Sequence, residues 1–132
     1  MEILRKIDER GRFINIPVDK YKRMYVIQNH QLNTVRAFHR HNREGLLLYC
    51  LKGVWKVIYY PITTDNPQPI EKVISEGEYV EIPAPAGNGH INLTEGAILL
   101  CFADLSLEEV REEEVKEKWD LFGEEIWKIQ PK

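Results

Sequence analysis

Hydrophobic and β-branched residues alternate with polar ones along most of the chain, in short tracts separated by turn signals. Alternation with a period of two is typical of strands that have one buried face. The pattern predicts strands over residues 2–7, 12–17, 22–28, 35–41, 46–51, 54–60, 70–75, 79–82, 90–93 and 97–103. Two proline-containing segments, 61–69 and 83–89, are predicted to be loops or strand edges, because proline lacks the donor that a sheet ladder needs. Many short strands at near-regular spacing indicate an all-β sandwich or barrel.

A helix is predicted after the last of these strands. Ser106 is followed three residues later by Glu109, which is the spacing of a capping box. The charged run 110–118 is expected to be a solvated face, and the aromatic segment 119–127 is expected to pack on the barrel or on a second subunit. The chain is therefore predicted to be one domain, 1–132, with a barrel over about 1–104 and a helix and tail over about 105–132.

Composition and charge mainly exclude function classes. The chain has 132 residues, with 18 Lys and Arg against 21 Asp and Glu, and this net charge of −3 without a basic block argues against nucleic-acid binding. No apolar run approaches the roughly 20 residues of a membrane helix. The first residues lack the apolar core of a signal peptide, so we expect a cytoplasmic protein. Cys50 and Cys101 lie in apolar tracts and are expected to be buried and reduced.

Histidines are the residues that suggest chemistry. His39 and His41 lie two apart on a predicted strand and therefore share one face of it. Either they face water on an edge strand, or they face the interior of a barrel, where two imidazoles would be costly without a role. His90 follows a segment rich in proline and glycine. The three histidines together with Glu44 would offer three nitrogen ligands and one oxygen ligand, a set that suits Zn, Fe or Mn.

The order of the motifs resembles a known family. The segments 8–11, 22–27, 36–41, 82–90, 103–104 and 107–114 are similar to those of the cupin nucleotide-sugar isomerases: the dTDP-4-dehydrorhamnose 3,5-epimerase superfamily and its short relatives, the dTDP-4-keto-6-deoxyhexose 3,4-ketoisomerases. The resemblance implies a cupin fold, that is, a double-stranded β-helix or jelly-roll barrel with a short C-terminal helix. It also implies a homodimer that binds a nucleotide-linked 4-keto-6-deoxyhexose and needs no cofactor. The short length and the second histidine favour the 3,4-ketoisomerase branch.

Roles for individual side chains follow from that resemblance. His39 is expected to be the general base and His41 a proton shuttle, while Tyr25 is either an acid/base or a core aromatic residue. Arg36 matches an arginine that stabilises the enolate, but on a regular strand it would face away from His39. It is therefore expected either to be re-aimed by a bulge or to serve a neighbouring subunit. Further contacts with the substrate are expected from Glu44, His90 and Asp104.

Departures from the family pattern keep two alternatives open. Leu46 falls where the epimerases have a lysine, Leu100 falls where they have a tyrosine, and Ala37 falls where a glycine is usual. The leucines permit a binding module that has lost catalysis. A metal-dependent cupin, with His39, His41 and His90 as ligands, is the other alternative, although its carboxylate would be expected at Leu46 and not two residues earlier at Glu44.

Overall fold

The computed structural model describes residues 3–128, which form an all-β domain with short helices near its C-terminal end. The strands and helices, in chain order, are β1 (Leu4–Asp8), β2 (Gly11–Asn15), β3 (Arg23–Ile27), β4 (Val35–His41), β5 (Leu46–Lys52), β6 (Val54–Pro61), β7 (Ile70–Ser75), β8 (Tyr79–Ile82), β9 (Ala86–Asn92), β10 (Ile98–Ala103), α1 (Leu107–Glu113), β11 (Val115–Lys116) and a 3-10 helix (Glu124–Trp127).

Two antiparallel sheets form the barrel. One has four strands in the order β3-β10-β5-β8, and the other has five in the order β11-β4-β9-β6-β7. The hairpin of β1 and β2 is a separate two-stranded sheet. Sequential strands alternate between the two larger sheets along much of the chain, which is the jelly-roll arrangement that the resemblance implied.

The predicted strand positions hold for most of the barrel, but the prediction of a loop or a strand edge over 83–89 is wrong. Most of this segment is the start of β9, which lies between β4 and β6. Its glycines are there for close packing: a Cβ on Gly87 would lie 2.0 Å from the ring of Tyr60, and one on Gly89 would lie 2.6 Å from Cβ of Ala37. Glycine thus marks a close approach of neighbours in this strand and not a turn.

The predicted helix begins where the capping box places it, and Ser106 and Glu109 make both reciprocal hydrogen bonds. It ends at Glu113, and the next residues form β11, which pairs with β4. The charged run is therefore only partly a solvated face. One side of it, with Val110 buried, packs against the barrel.

Apolar side chains fill the interior between the sheets, mainly from β5, β6, β8 and β10, including Trp55, Leu48 and Leu99. The aromatic tail contributes side chains to a second apolar cluster, on the outer face of the five-stranded sheet. There the rings of Phe122 and Trp127 lie 5.7 and 5.2 Å from that of Phe38. The tail therefore packs on its own barrel, which was one of the two alternatives expected for it.

Other expectations concern the cysteines and membranes. Cys50 and Cys101 are both buried and free, as predicted. None of the helices within residues 3–128 has the length and apolar character that crossing a bilayer requires.

Candidate active site

A cavity of about 560 Å³ lies between β3 of one sheet and β4 and β9 of the other, with α1 and β11 at one side. Its wall is mostly polar and carries histidines, carboxylates and cations. The lining residues with chemistry to offer are Arg23, Tyr25, Arg36, His39, His41, Glu44, Asn88, His90, Glu114 and Lys116. All the sequence-predicted site residues except Asp104 therefore meet in one cavity.

A β-bulge brings Arg36 into this cavity. Arg36 pairs with His90 and His39 pairs with Asn88, so three steps along β4 correspond to two along β9. The extra residue leaves Phe38 in the apolar cluster on the outer side, with Ala37 packed against that cluster, and returns Arg36 to the same face as His39. Of the two explanations expected for Arg36, the structure shows the bulge.

His39 makes a close contact with a carboxylate from the end of helix α1. Its Nδ1 contacts Oε1 of Glu114, which leaves Nε2 as the free ring nitrogen. Burial and the neighbouring cation of Lys116, which lies directly opposite on β11, lower the pKa of His39. The imidazole is therefore neutral near pH 7 and is oriented by an acceptor, which is the state a general base needs.

His41 lies deeper and is surrounded by two carboxylates. Its Nδ1 is 3.3 Å from Oε2 of Glu44 and 3.6 Å from Oε1 of Glu113, and only 8% of its side chain is exposed. Burial lowers the pKa of His41, although Glu113 opposes that shift. Burial raises the pKa of Glu44, whose other oxygen accepts a hydrogen bond from Arg23. Each shift favours the neutral form of its group, as expected for titratable groups this far from water.

Tyr25 and His90 complete the inner wall. Burial raises the pKa of Tyr25, and the neighbouring Cys101 and Glu44 raise it further. Its hydroxyl therefore stays protonated and can donate a hydrogen bond. Burial lowers the pKa of His90 to about 3, and its ring lies edge-on to Trp55 at 5.7 Å. His90 is therefore a neutral polar group of the wall and carries no positive charge at neutral pH.

The charges of the cavity are not balanced. Arg23 is paired with Glu44, and Glu114 contacts His39. Within the part of the chain that the structure describes, no ion pair is formed by Arg36 or Lys116, the two remaining cations of the wall. Two unpaired cations at a polar cavity favour an anionic ligand.

Asp104 does not belong to this cavity, contrary to the expectation from the sequence. Its carboxylate accepts a hydrogen bond of 2.8 Å from the backbone N–H of Gly45, and it lines a different depression next to Arg43. The reason is its place just beyond the end of β10, where the chain turns towards the β4–β5 connection. Asp104 thus holds a turn in place.

The leucines that depart from the family pattern lie outside the cavity wall as well. Leu46 packs in the apolar interior next to Ile82 and Ala103. Leu100 points to the opposite face of its sheet, where it packs with Leu47 and Phe102. The substitution at Leu100 therefore removes no group from the cavity.

The metal alternative gains no support from the geometry. Among residues 3–128, no group of three His, Cys, Asp or Glu side chains is placed so that it could hold one metal ion. His39, His41 and His90 share the cavity, but each has a different neighbour: Glu114 lies beside His39, Glu44 beside His41 and the Trp55 ring beside His90.

Sequence reasoning missed the carboxylates at the end of α1. Glu113 accepts hydrogen bonds from the backbone N–H groups of Arg43 and Glu44 at 2.9 and 3.1 Å, and Glu114 contacts His39. One signal could have found them, because they stand three and four residues after Val110. On a helix this spacing puts all three on one face, and Val110 was the apolar residue of that face.

Comparison with known proteins places the chain in a family. The family model described as "FdtA: WxcM-like, C-terminal" matches residues 2–116. The chain belongs to this family. A comparison with curated proteins returns no match.

Solved structures share the fold of this WxcM-like chain. A 3,4-ketoisomerase from Helicobacter canadensis is 21% identical, with 94% of this chain and 92% of that chain covered and a TM-score of 0.73. A double mutant of the QdtA 3,4-ketoisomerase from Thermoanaerobacterium thermosaccharolyticum, in complex with TDP, is 22% identical over 94% of this chain and 89% of that chain, with a TM-score of 0.70.

A dTDP-4-dehydrorhamnose 3,5-epimerase from Bacillus anthracis, with TDP and PPi bound, is 15% identical over 90% of this chain and 77% of that chain, with a TM-score of 0.76. These likenesses confirm the cupin fold that the sequence predicted.

Proposed function

We propose that the chain is a nucleotide-sugar isomerase that moves the carbonyl group of a dTDP-4-keto-6-deoxyhexose by proton transfer at the neighbouring carbon. The observation that carries the proposal is the pair formed by His39 and Glu114 in a cavity with two unpaired cations. Family membership and the ketoisomerases and epimerase among the similar structures support the substrate class.

The reaction needs a base, a donor and an anchor, and the cavity has a residue for each. The 4-keto group acidifies the C3 proton, and neutral His39 takes it while Glu114 stabilises the imidazolium that forms. The electrons of the broken C–H bond form an enediolate over C3 and C4, whose oxygen accepts a hydrogen bond from Tyr25. A proton is then returned to C4, with His41 as the shuttle, while the O3 proton passes to O4, so that C3 carries the carbonyl and C4 the hydroxyl.

Arg36 and Lys116 are proposed to hold the diphosphate. Arg36 is exposed at the rim of the cavity, whereas the histidines lie further inside. A substrate that is anchored by its diphosphate at the rim would extend its sugar towards His39 and His41. Glu44 and His90, which line the same wall, are proposed to contact the sugar.

Deuterium exchange followed by NMR tests this proposal. The purified protein is incubated with dTDP-4-keto-6-deoxyglucose in D₂O, and we expect exchange at C3 with a 3-keto product. His39→Asn should lower the rate at least about 100-fold, the contribution expected of a general base, and should keep its fold and its affinity for TDP. His30→Asn, in an exposed loop, is the matched control and should behave as wild type.

Each other outcome of that experiment has a distinct meaning. Exchange at both C3 and C5 would show that the reaction is a 3,5-epimerisation and not a ketoisomerisation. TDP binding without exchange would favour a non-catalytic binding module. Neither binding nor exchange would overturn the substrate class, and metal analysis of protein purified without chelator would then test the metal-dependent alternative.

A homodimer is also proposed, because strand β3 is an edge that exposes Met24 and Val26, and the β1–β2 hairpin exposes Ile7 and Phe13. Edge strands with exposed apolar residues are usually covered. Sedimentation at micromolar concentration should show a dimer, and a monomer would contradict this assembly.

A further inference from the structure

We propose that Asn29 is a positioning residue that holds the Arg36 guanidinium in the orientation in which it binds the diphosphate, and that buried Asn92 in turn holds Asn29. This inference rests on the proposed function, since it assigns the anchoring of the anionic part of the substrate to Arg36. It concerns the loop between β3 and β4, residues 28–34, to which the proposed mechanism gives no role.

The first step is the contact between Asn29 and Arg36. Nε of Arg36 donates a hydrogen bond of 2.7 Å to Oδ1 of Asn29. Among the hydrogen bonds formed within residues 3–128, this one fixes the plane of the guanidinium and leaves both Nη groups unused. The Nη1–Nη2 edge is a fork that matches two oxygens of a phosphate group.

The second step is what holds Asn29. Its Nδ2 donates a hydrogen bond of 2.8 Å to Oδ1 of Asn92 and a longer one, 3.4 Å, to the carbonyl oxygen of Thr34. Both partners are acceptors, so the Asn29 amide has one allowed orientation, in which Oδ1 faces Arg36.

The third step is Asn92, which is 2% exposed in strand β9. Its Oδ1 also accepts from the backbone N–H of Thr34 at 3.0 Å, and its Nδ2 donates to the carbonyl oxygen of Gln31 at 3.0 Å. The side chain thus ties both sides of the loop to the sheet, and all its polar atoms are used. A buried amide whose oxygen and nitrogen are both hydrogen-bonded in this way makes a rigid support.

The chain of contacts from Asn92 through Asn29 to Arg36, which we call the relay, fixes the guanidinium of Arg36 in a way that strand β4 alone cannot. The bulge in β4 aims the side chain at the cavity, but an exposed arginine has many rotamers and loses that freedom when it binds. Holding the guanidinium in advance removes part of this cost. We therefore expect Asn29→Ala to weaken TDP binding roughly three- to tenfold, the range that corresponds to one immobilised side chain.

Calorimetric titration with TDP tests the relay through a double-mutant cycle. Asn29→Ala and Arg36→Ala should each weaken binding, and the double variant should bind as Arg36→Ala alone does, because Asn29 acts through Arg36. Asn29→Asp keeps an oxygen acceptor for Nε but turns a second acceptor towards Oδ1 of Asn92, so it should recover little of the affinity. Gln31→Ala is the matched control, since this loop residue takes part through its backbone oxygen.

Two further measurements separate positioning from a general structural role. In turnover, Asn29→Ala should raise KM and leave kcat unchanged, because the diphosphate is held equally in the ground state and the transition state. In NMR spectra of the protein without ligand, the Arg36 Nε–H proton should exchange slowly with water in wild type and rapidly in Asn29→Ala.

The outcomes that would overturn the inference are distinct from those that concern the function. If wild type binds TDP and Asn29→Ala binds it equally well, or if Asn29→Ala weakens binding equally with and without Arg36, the relay is wrong and the proposed function stands. If Arg36→Ala binds as wild type does, Arg36 is not the anchor. If wild type does not bind TDP, the proposed function and this inference both fail.

Discussion

The two faces of the wall formed by β4 and β9 differ in almost every respect. The inner face carries the polar residues Arg36, His39 and His41, which contact Asn29, Glu114 and Glu44 respectively. The outer face carries Phe38, which packs among the rings of Tyr60, Phe122 and Trp127. The inner face has the groups for chemistry, and the outer face has the apolar packing that keeps their backbone in place.

The comparison teaches that stability and activity should be separable on this wall. Apolar burial provides most of the folding free energy, whereas the inner polar groups are costly to bury and gain little net stability from their partners. Substitutions on the outer face should therefore change the free energy of unfolding, and substitutions on the inner face should change turnover. Four predictions test that separation, in order of decreasing expected effect.

Trp127→Ala should give the largest effect and should act on stability. The side chain is 4% exposed and packs on Phe38, so its loss should lower the free energy of unfolding by about 3 kcal/mol. Denaturant unfolding measures this, and kcat of the folded protein should stay within a few-fold of wild type. Trp119→Ala is the control, because 47% of this residue is exposed, and it should lower the free energy of unfolding far less. Equal losses in the two variants would contradict the role given to the outer cluster.

Glu114→Gln should act on turnover. Without the negative charge at Nδ1, His39 loses the stabilisation of its protonated form, so kcat should fall about 100-fold, or about 2.7 kcal/mol in activation free energy. The free energy of unfolding should change by less than about 0.5 kcal/mol, because Glu114 is partly exposed. Glu112→Gln, exposed on the same helix, is the control. Unchanged kcat in Glu114→Gln would show that the pair of His39 and Glu114 is not part of the mechanism.

Gly89→Ala should affect both faces at once. The new Cβ would lie 2.6 Å from Cβ of Ala37 and 2.8 Å from Cη2 of Trp127, so the bulge has to move. We expect a loss of about 2 kcal/mol in stability, typical of overpacking, together with weaker TDP binding through Arg36. Adding Ala37→Gly should restore part of the lost stability and part of the lost affinity for TDP. A variant that loses stability and keeps its full affinity for TDP would show that the bulge does not control Arg36.

The pH profile should show the smallest effect. A base must be neutral to act, so kcat/KM should fall about tenfold per pH unit below the pKa of His39. Because burial and Lys116 lower that pKa, the acid limb should lie below pH 6.5. Lys116→Met removes one of the two causes and should move the limb towards higher pH, while Glu114 remains in place beside the ring. An acid limb at or above pH 6.5 in wild type would contradict a lowered pKa of His39 as the base.

Much of this wall was predictable from sequence because its signals are local. The alternation over Val35–His41 gives β4 with its bounds, and the His-x-His spacing puts two imidazoles on one face. The capping box gives the start of α1. Local patterns of this kind depend on the geometry of one element and need no knowledge of its neighbours.

The parts that were missed depend on contacts between elements that lie far apart in the chain. Gly87 and Gly89 indicate a turn by composition, and only Tyr60 and Trp127 explain why β9 needs them. The bulge at Ala37 was one of two explanations expected for Arg36, and only the register with β9 decides for it. Asp104 was assigned to the site by its place in a motif, but its direction is decided by a turn at Gly45.

The pairing of β11 with β4 has a consequence for how the protein is made. Every strand of the barrel except β11 is synthesised before residue 104, whereas Glu114 and Lys116 come from the segment after it. A nascent chain that ends before α1 could close its barrel but would leave the edge of β4 unpaired beside an incomplete cavity. Such an edge is a template for a strand from another molecule. Interrupted synthesis should therefore yield fragments that associate with one another.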